Sequence, residues 1–170
     1  MRNNFDFYAA NDLSILTVDV LMTPDPDTGR LPIDLWGKHA VLAVERSGWL
    51  ITHAGVHPSL WPTDANLADG VATLNASMQE LVVDPPEDYS HPLIGAGPPR
   101  GGFHPVGGPL WLDFLEEFSD DLPFPQVVGH TRCKDVLQNG KSLCLDACQQ
   151  VCAILHPDGT LEPSVVVAGE

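Results

Sequence analysis

"GWLITHAGVHPSLWP", residues 48–62, and its counterpart "FPQVVGHTR", residues 124–132, decide how this chain reads. Ser47-Gly48 is a turn signal between two apolar runs, "AVLAVER" (40–46) and "WLITH" (49–53), so the first stretch predicts a hairpin ending at His53. Ala54-Gly55 then breaks the strand, because glycine permits a sharp change of direction and leaves the preceding side chain at a strand end, open to a site. The second stretch ends the same way, in a Gly-His pair 77 positions after His53 (130 − 53). If the two strands are neighbours, such strand-end histidines can converge on one metal ion, and imidazole suits zinc, manganese and iron. The alternative for either His53 or His130 is a hydrogen-bonded or exposed histidine with no ligand role.

At 170 residues and 44% hydrophobic, the chain can bury one substantial core, and residues 1–170 read as one domain. Eight basic against 23 acidic side chains give a net charge of −15, which repels nucleic-acid backbones and anionic membrane surfaces. No apolar run approaches the roughly 18 residues that cross a bilayer, and the first residues carry no long apolar leader segment, so a cytoplasmic protein with no nucleic-acid or membrane partner is expected. Cys133, Cys144, Cys148 and Cys152 crowd toward one end, unlike a secreted disulfide framework, and read as reduced thiols.

Leu67, Val71, Leu74, Met78 and Leu81 recur at helical spacing and predict a helix over 67–83. Residues 84–109 form a long loop rich in proline and glycine, of the kind that carries function or moves. "LWLDFLEEF" (110–118) reads as a further helix with its acidic residues outward. "PQVVGHT", "KSLCLDA", "VCAILHPDG" and "TLEPSVVV" read as short buried strands, with Asp158-Gly159 as the last turn.

Taken in order, "THAGVHPSLW", "GPLW", "VVGHT" and "LDACQQVCAILHPDGTL" resemble the C-terminal half of the calcineurin-like metallophosphoesterases, over roughly residues 40–165. The likeness is to the branch of Ser/Thr protein phosphatases and symmetrical diadenosine-tetraphosphate hydrolases. It implies an α/β fold, part of a two-sheet sandwich flanked by helices, with His53 and His130 as ligands of one metal of a two-metal centre holding Mn, Fe or Zn. It further implies a metal-dependent phosphoesterase acting on a small phosphoester or a phosphoprotein. In such a centre a bridging hydroxide attacks phosphorus while the cations neutralise the developing charge, which lets an acidic protein handle phosphate.

The departures are as informative. The family's Asp-x-His, Gly-Asp and Asp-Arg-Gly motifs, which supply the other metal and the bridging Asp, do not occur here. "NNFD" (3–6) stands near the family's Gly-Asn-His-Asp/Glu position, which implies Asn4 as a third ligand and Phe5 in place of the catalytic histidine; the other reading is an unconstrained tail. No catalytic residue is therefore assigned, and the N-terminal part of the fold is expected to be missing, through truncation, a split gene product or degeneration. A chain so shortened is expected to bare an apolar face or sheet edge and to self-associate or take up an upstream fragment. The alternative function is a non-catalytic metal- or phosphate-binding remnant acting through protein contacts. Arg132, where relatives often have histidine, and Arg100, in "PPRGG", each read either as a phosphate contact or as an exposed loop arginine. Asp146 reads as structural support near the site. Cys144, Cys148 and Cys152 recur every fourth position, a possible thiolate face for a Cys/His zinc module if helical and scattered buried thiols if not. His57, His91 and His104 receive no ligand role.

Overall fold

A computed structural model describes residues 41–84, 90–147 and 151–165. Asn4, Phe5 and Cys148 lie outside the described residues. The fold is mixed α/β. Strands β1 (Ala43–Arg46) and β2 (Trp49–Thr52) form the expected hairpin, Ala43 opposite Thr52 and Arg46 opposite Trp49. Ser47 and Gly48 both take positive φ, 47° and 83°, the primed-turn geometry whose twist matches paired strands. Helix α1 (Leu67–Val83) spans the predicted range. Asn66 caps it by accepting from the Asp69 amide, and Gly70, Leu74 and Met78 are buried along one stripe.

Strand β3 (Gln126–Val128) runs parallel to β2, β4 (Leu137–Asn139) and β5 (Ser142–Cys144) form a second hairpin, and β5 runs parallel to β3. The resulting order is β1-β2-β3-β5-β4. The register aligns Leu50 with Gln126 and Val128 with Cys144, and these side chains and Ser142 are buried. Two apolar clusters complete the core. One joins Leu42, Leu50 and Val56 to Leu74 and Met78 of α1 and to Leu110 and Phe124; the other joins Ala54, Val128 and Cys144 to Leu112, Phe114 and Phe118. Between the buried positions of β2, β3 and β5 stand Ile51, Val127 and Leu143, aligned across the strands with Val44 of β1 and all half-buried.

Two expectations need correction, and one strand is additional to those expected. Residues 110–118 form no helix but two turns, at 109–111 and 114–117. The Asp113 carboxylate accepts from the amides of Leu115 and Glu116, and Glu117 reaches back to those of Gly107 and Asp113, so side chains take the amides a helix would use. Strand β4 was missed although Asn139-Gly140 marks its turn. Finally, β6 (Val151–Leu155) and β7 (Leu161–Val165) are not buried strands of the main sheet. They form a separate hairpin that alternates half-buried and exposed residues along β6, with Cys152 and Ile154 outward. The Trp49 indole nitrogen ties its turn to β2 by donating to the Gly159 carbonyl at 2.8 Å. Among the described residues no helix is long and apolar enough to cross a membrane.

Candidate functional site

His53 and His130 each follow the last residue or two of adjacent parallel strands, β2 and β3. The Gly129 amide donates to the His53 carbonyl at 2.8 Å, which carries the pairing beyond the strands and fixes the two corners side by side. On the His53 side, the Ala54 amide donates to the Pro109 carbonyl at 2.9 Å. Gly55 has φ 115°, and a Cβ there would stand 2.8 Å from Leu112 Cδ2, so only glycine fits this turn. Val56 is held by the buried Gln126 side chain, whose Oε1 accepts from the Val56 amide at 2.9 Å while Nε2 donates to the Val56 carbonyl at 3.0 Å. On the other side His130 takes the left-handed backbone, φ 65°, which turns the chain immediately after β3.

The two rings meet. His53 Nε2 and His130 Nδ1 are 3.0 Å apart, with ring centroids 4.9 Å apart and planes at 59°. Trp111 stands edge-on to His130, perpendicular at 5.6 Å. Burial pushes both imidazoles below the ordinary 6.5. For His130, lowered to about 4, the neighbouring His53 and Arg100 add to the effect and Asp113 opposes it; for His53, Asp146 opposes it. Both rings are therefore neutral at pH 7, sharing one hydrogen between the facing nitrogens.

Neutral imidazole is the ligand form for a divalent cation, and the spacing fits one. Two nitrogens 3.0 Å apart and each about 2.1 Å from a common ion subtend about 90° at it, nearer the angle between neighbouring ligands of a six-coordinate ion than that of a tetrahedral one. Among the described residues no group of three or more His, Cys, Asp or Glu is placed to hold an ion. Asn4, the third expected ligand, is outside the described residues.

The two arginines separate. Arg100 is drawn into the site: Nη2 pairs with Asp113 Oδ2 at 2.9 Å and donates to Thr131 Oγ1 at 3.0 Å, and that hydroxyl oxygen also accepts from the Phe114 amide at 2.8 Å. This web ties the Pro/Gly loop and the 113–117 turn to the residue after His130. Arg100 Nε and His130 Nε2 are buried beside it without a hydrogen-bond partner. Arg132, by contrast, is exposed. Of the residues set aside, His57 accepts from the Ser59 amide and His91 from the Leu93 amide, both local turn contacts. Asp113, Thr131, Trp111 and Gln126 receive no role from the sequence, although Trp111 and Thr131 stand inside the quoted motifs "GPLW" and "VVGHT". Asp146, expected as support, has its carbonyl bonded to the Cys133 amide at 3.0 Å, while its charge favours the protonated form of His53.

No protein-family model matches the chain, and no curated protein or solved structure matches it significantly.

Proposed function

We propose that this chain carries one metal half-site of a calcineurin-like phosphoesterase, a metal-dependent hydrolase of phosphoric esters, on part of that family's two-sheet sandwich. The observation that carries the reading is the His53–His130 contact: motifs 77 positions apart bring two neutral ring nitrogens to 3.0 Å at the ends of adjacent strands. His53 and His130 would hold a Mn, Fe or Zn ion, which supplies Lewis acidity toward a phosphoryl oxygen and acidifies a bound water. The chain's own residues set the rest. Gln126 and Gly129 position the histidines, and Trp111 packs against the His130 ring. Arg100, held beside His130 by its ion pair with Asp113 and its bond to Thr131, would offer hydrogen-bond donors, though little net positive charge, to a bound phosphate.

The ligand count bounds the activity of the isolated chain. Without a bridging carboxylate or the family's catalytic histidine, general acid–base assistance worth about 10²–10⁴-fold is missing. The chain therefore binds phosphate or its analogues in a manganese-stimulated way, with hydrolysis near background. This same count favours the second reading, a phosphate-binding remnant acting through protein contacts.

The test pairs calorimetric titration of inorganic phosphate, with and without Mn²⁺, with hydrolysis of an aryl phosphate. Manganese-stimulated phosphate binding lost in His53→Ala supports the half-site. Binding of phosphate that ignores both manganese and His53 would refute it. Turnover at about 1–10³ s⁻¹ would overturn the claim of near-background hydrolysis.

A further inference from the structure

Two thiols lie directly behind the His130 corner. Cys144, on β5, is fully buried, and its Sγ stands 3.4 Å from the carbonyl oxygens of Gly129 and Thr131, the residues on either side of His130. Cys133 packs against the same cluster, half-buried, with its thiol within hydrogen-bonding reach of that of Cys144. Its backbone is fixed there by the bond from its amide to the Asp146 carbonyl at 3.0 Å. Cys133 is thus partly exposed while Cys144 is buried. Nothing in the metal reading uses either.

We propose that Cys133 and Cys144 form a reversible disulfide, a redox modification site placed beneath the His130 corner. The oxidant is a peroxide. The Cys133 thiolate attacks one peroxide oxygen, the O–O bond breaks, and the departing hydroxide takes a proton, leaving a sulfenic acid and water. The Cys144 sulfur then attacks the Cys133 sulfur, the S–O bond breaks, and the second hydroxide leaves as water with the Cys144 proton. Two thiols and one hydrogen peroxide become one disulfide and two waters. The division of roles follows from exposure: Cys144 is fully buried, and burial pushes its thiol up to about 11, so the peroxide meets the half-buried Cys133 first. Oxidation removes the Cys144 S–H placed against the Gly129 and Thr131 carbonyls, so the His130 corner loses that contact on both flanks. The consequence for metal binding rests on the proposed function; the disulfide itself does not.

The experiment uses the full chain carrying Cys148→Ser and Cys152→Ser, so that only these two thiols remain. It is treated with hydrogen peroxide, denatured, alkylated and weighed intact. The expected result is a loss of two hydrogens, no alkylation, and full recovery of both thiols with dithiothreitol. Cleavage after Arg132, Lys134 and Lys141 should then yield Cys133-Lys134 linked to the peptide that begins at Ser142. Two alkylated thiols after peroxide, or a Cys133 sulfinic acid beside an alkylatable Cys144, would overturn the proposal. The added change Cys133→Ser, at a half-buried position, should leave Cys144 reduced; loss of its thiol there would also overturn it. In a second arm, oxidation should weaken Mn²⁺ binding by about tenfold, the scale of disturbing groups around a ligand. Unchanged affinity would refute the coupling, and no Mn²⁺ binding by the reduced chain would refute the metal reading while the mass result still decides the disulfide.

Discussion

Replacing Gln126 with leucine should cost this protein a large share of its stability. Gln126 is 1% exposed and Val56 fully buried. Across 70 residues of sequence, the Gln126 amide makes both hydrogen bonds that a strand neighbour would otherwise give Val56. Gln126→Leu removes both partners at once and leaves a buried N–H and a buried C=O unsatisfied. Each such group costs about 1–3 kcal/mol, so the gross loss is about 2–6 kcal/mol. Leucine is of similar size to glutamine and returns about one to two methylenes of apolar burial at about 0.8 kcal/mol each, leaving about 1–5 kcal/mol. Against a typical total of about 5–15 kcal/mol, that is a shift plainly visible in urea denaturation. The midpoint should fall with the slope unchanged. Gln126→Glu sharpens the test: it keeps an acceptor for the Val56 amide but sets an oxygen against the Val56 carbonyl, so it should also destabilise. A Gln126→Leu midpoint within about 0.3 kcal/mol of wild type would refute the view that this side chain holds the corner after His53.

Three further outcomes follow from individual contacts. Asn75 of α1 accepts from the Leu42 and Ala43 amides and donates to the Ala43 carbonyl, closing part of the outer edge of β1; Asn75→Ala should lower the unfolding midpoint by about 1–3 kcal/mol and raise the apparent mass in sedimentation as the edge opens. Gly55→Ala, with φ 115° and its new methyl 2.8 Å from Leu112, should destabilise by about 1–3 kcal/mol in thermal unfolding, where a neutral effect would mean the turn can rearrange. Burial pushes the Asp120 carboxyl up, but hydrogen bonds from Ser142 and Lys141 outweigh it and hold the group below its ordinary 3.8. Its contribution is therefore complete above that value and lost as pH falls through the lower folded one, so the wild-type minus Asp120→Asn stability difference should shrink as pH drops below about 4.

The parts of the fold legible in the sequence were those with a local cause. The Ser47-Gly48 turn, the 67–83 stripe and the His-bearing strand ends each rest on a few adjacent residues whose preferences agree, and the structure follows them. The 110–118 segment failed because its apolar spacing resembles a helix, while Asp113 and Glu117 divert its amides in a way that spacing does not reveal. The β6–β7 hairpin was legible as a hairpin, but its burial depends on what stands beside it, a property of tertiary arrangement. At the site, His53 and His130 announced themselves by motif. Arg100, Asp113 and Thr131 form their web across separations of 13 to 31 residues, which only the folded chain brings together. Arg132, equally suggestive in sequence, is exposed.

The central claim, that His53 and His130 jointly hold one divalent cation, is tested most directly by Mn²⁺ titration of a double-mutant cycle: wild type, His53→Ala, His130→Ala and the double variant, with folding checked by circular dichroism. Joint ligation predicts that each single substitution abolishes most of the binding free energy and that the double variant loses little more. Undiminished Mn²⁺ binding in both single variants, or no binding by the folded wild-type chain at millimolar Mn²⁺, would contradict it.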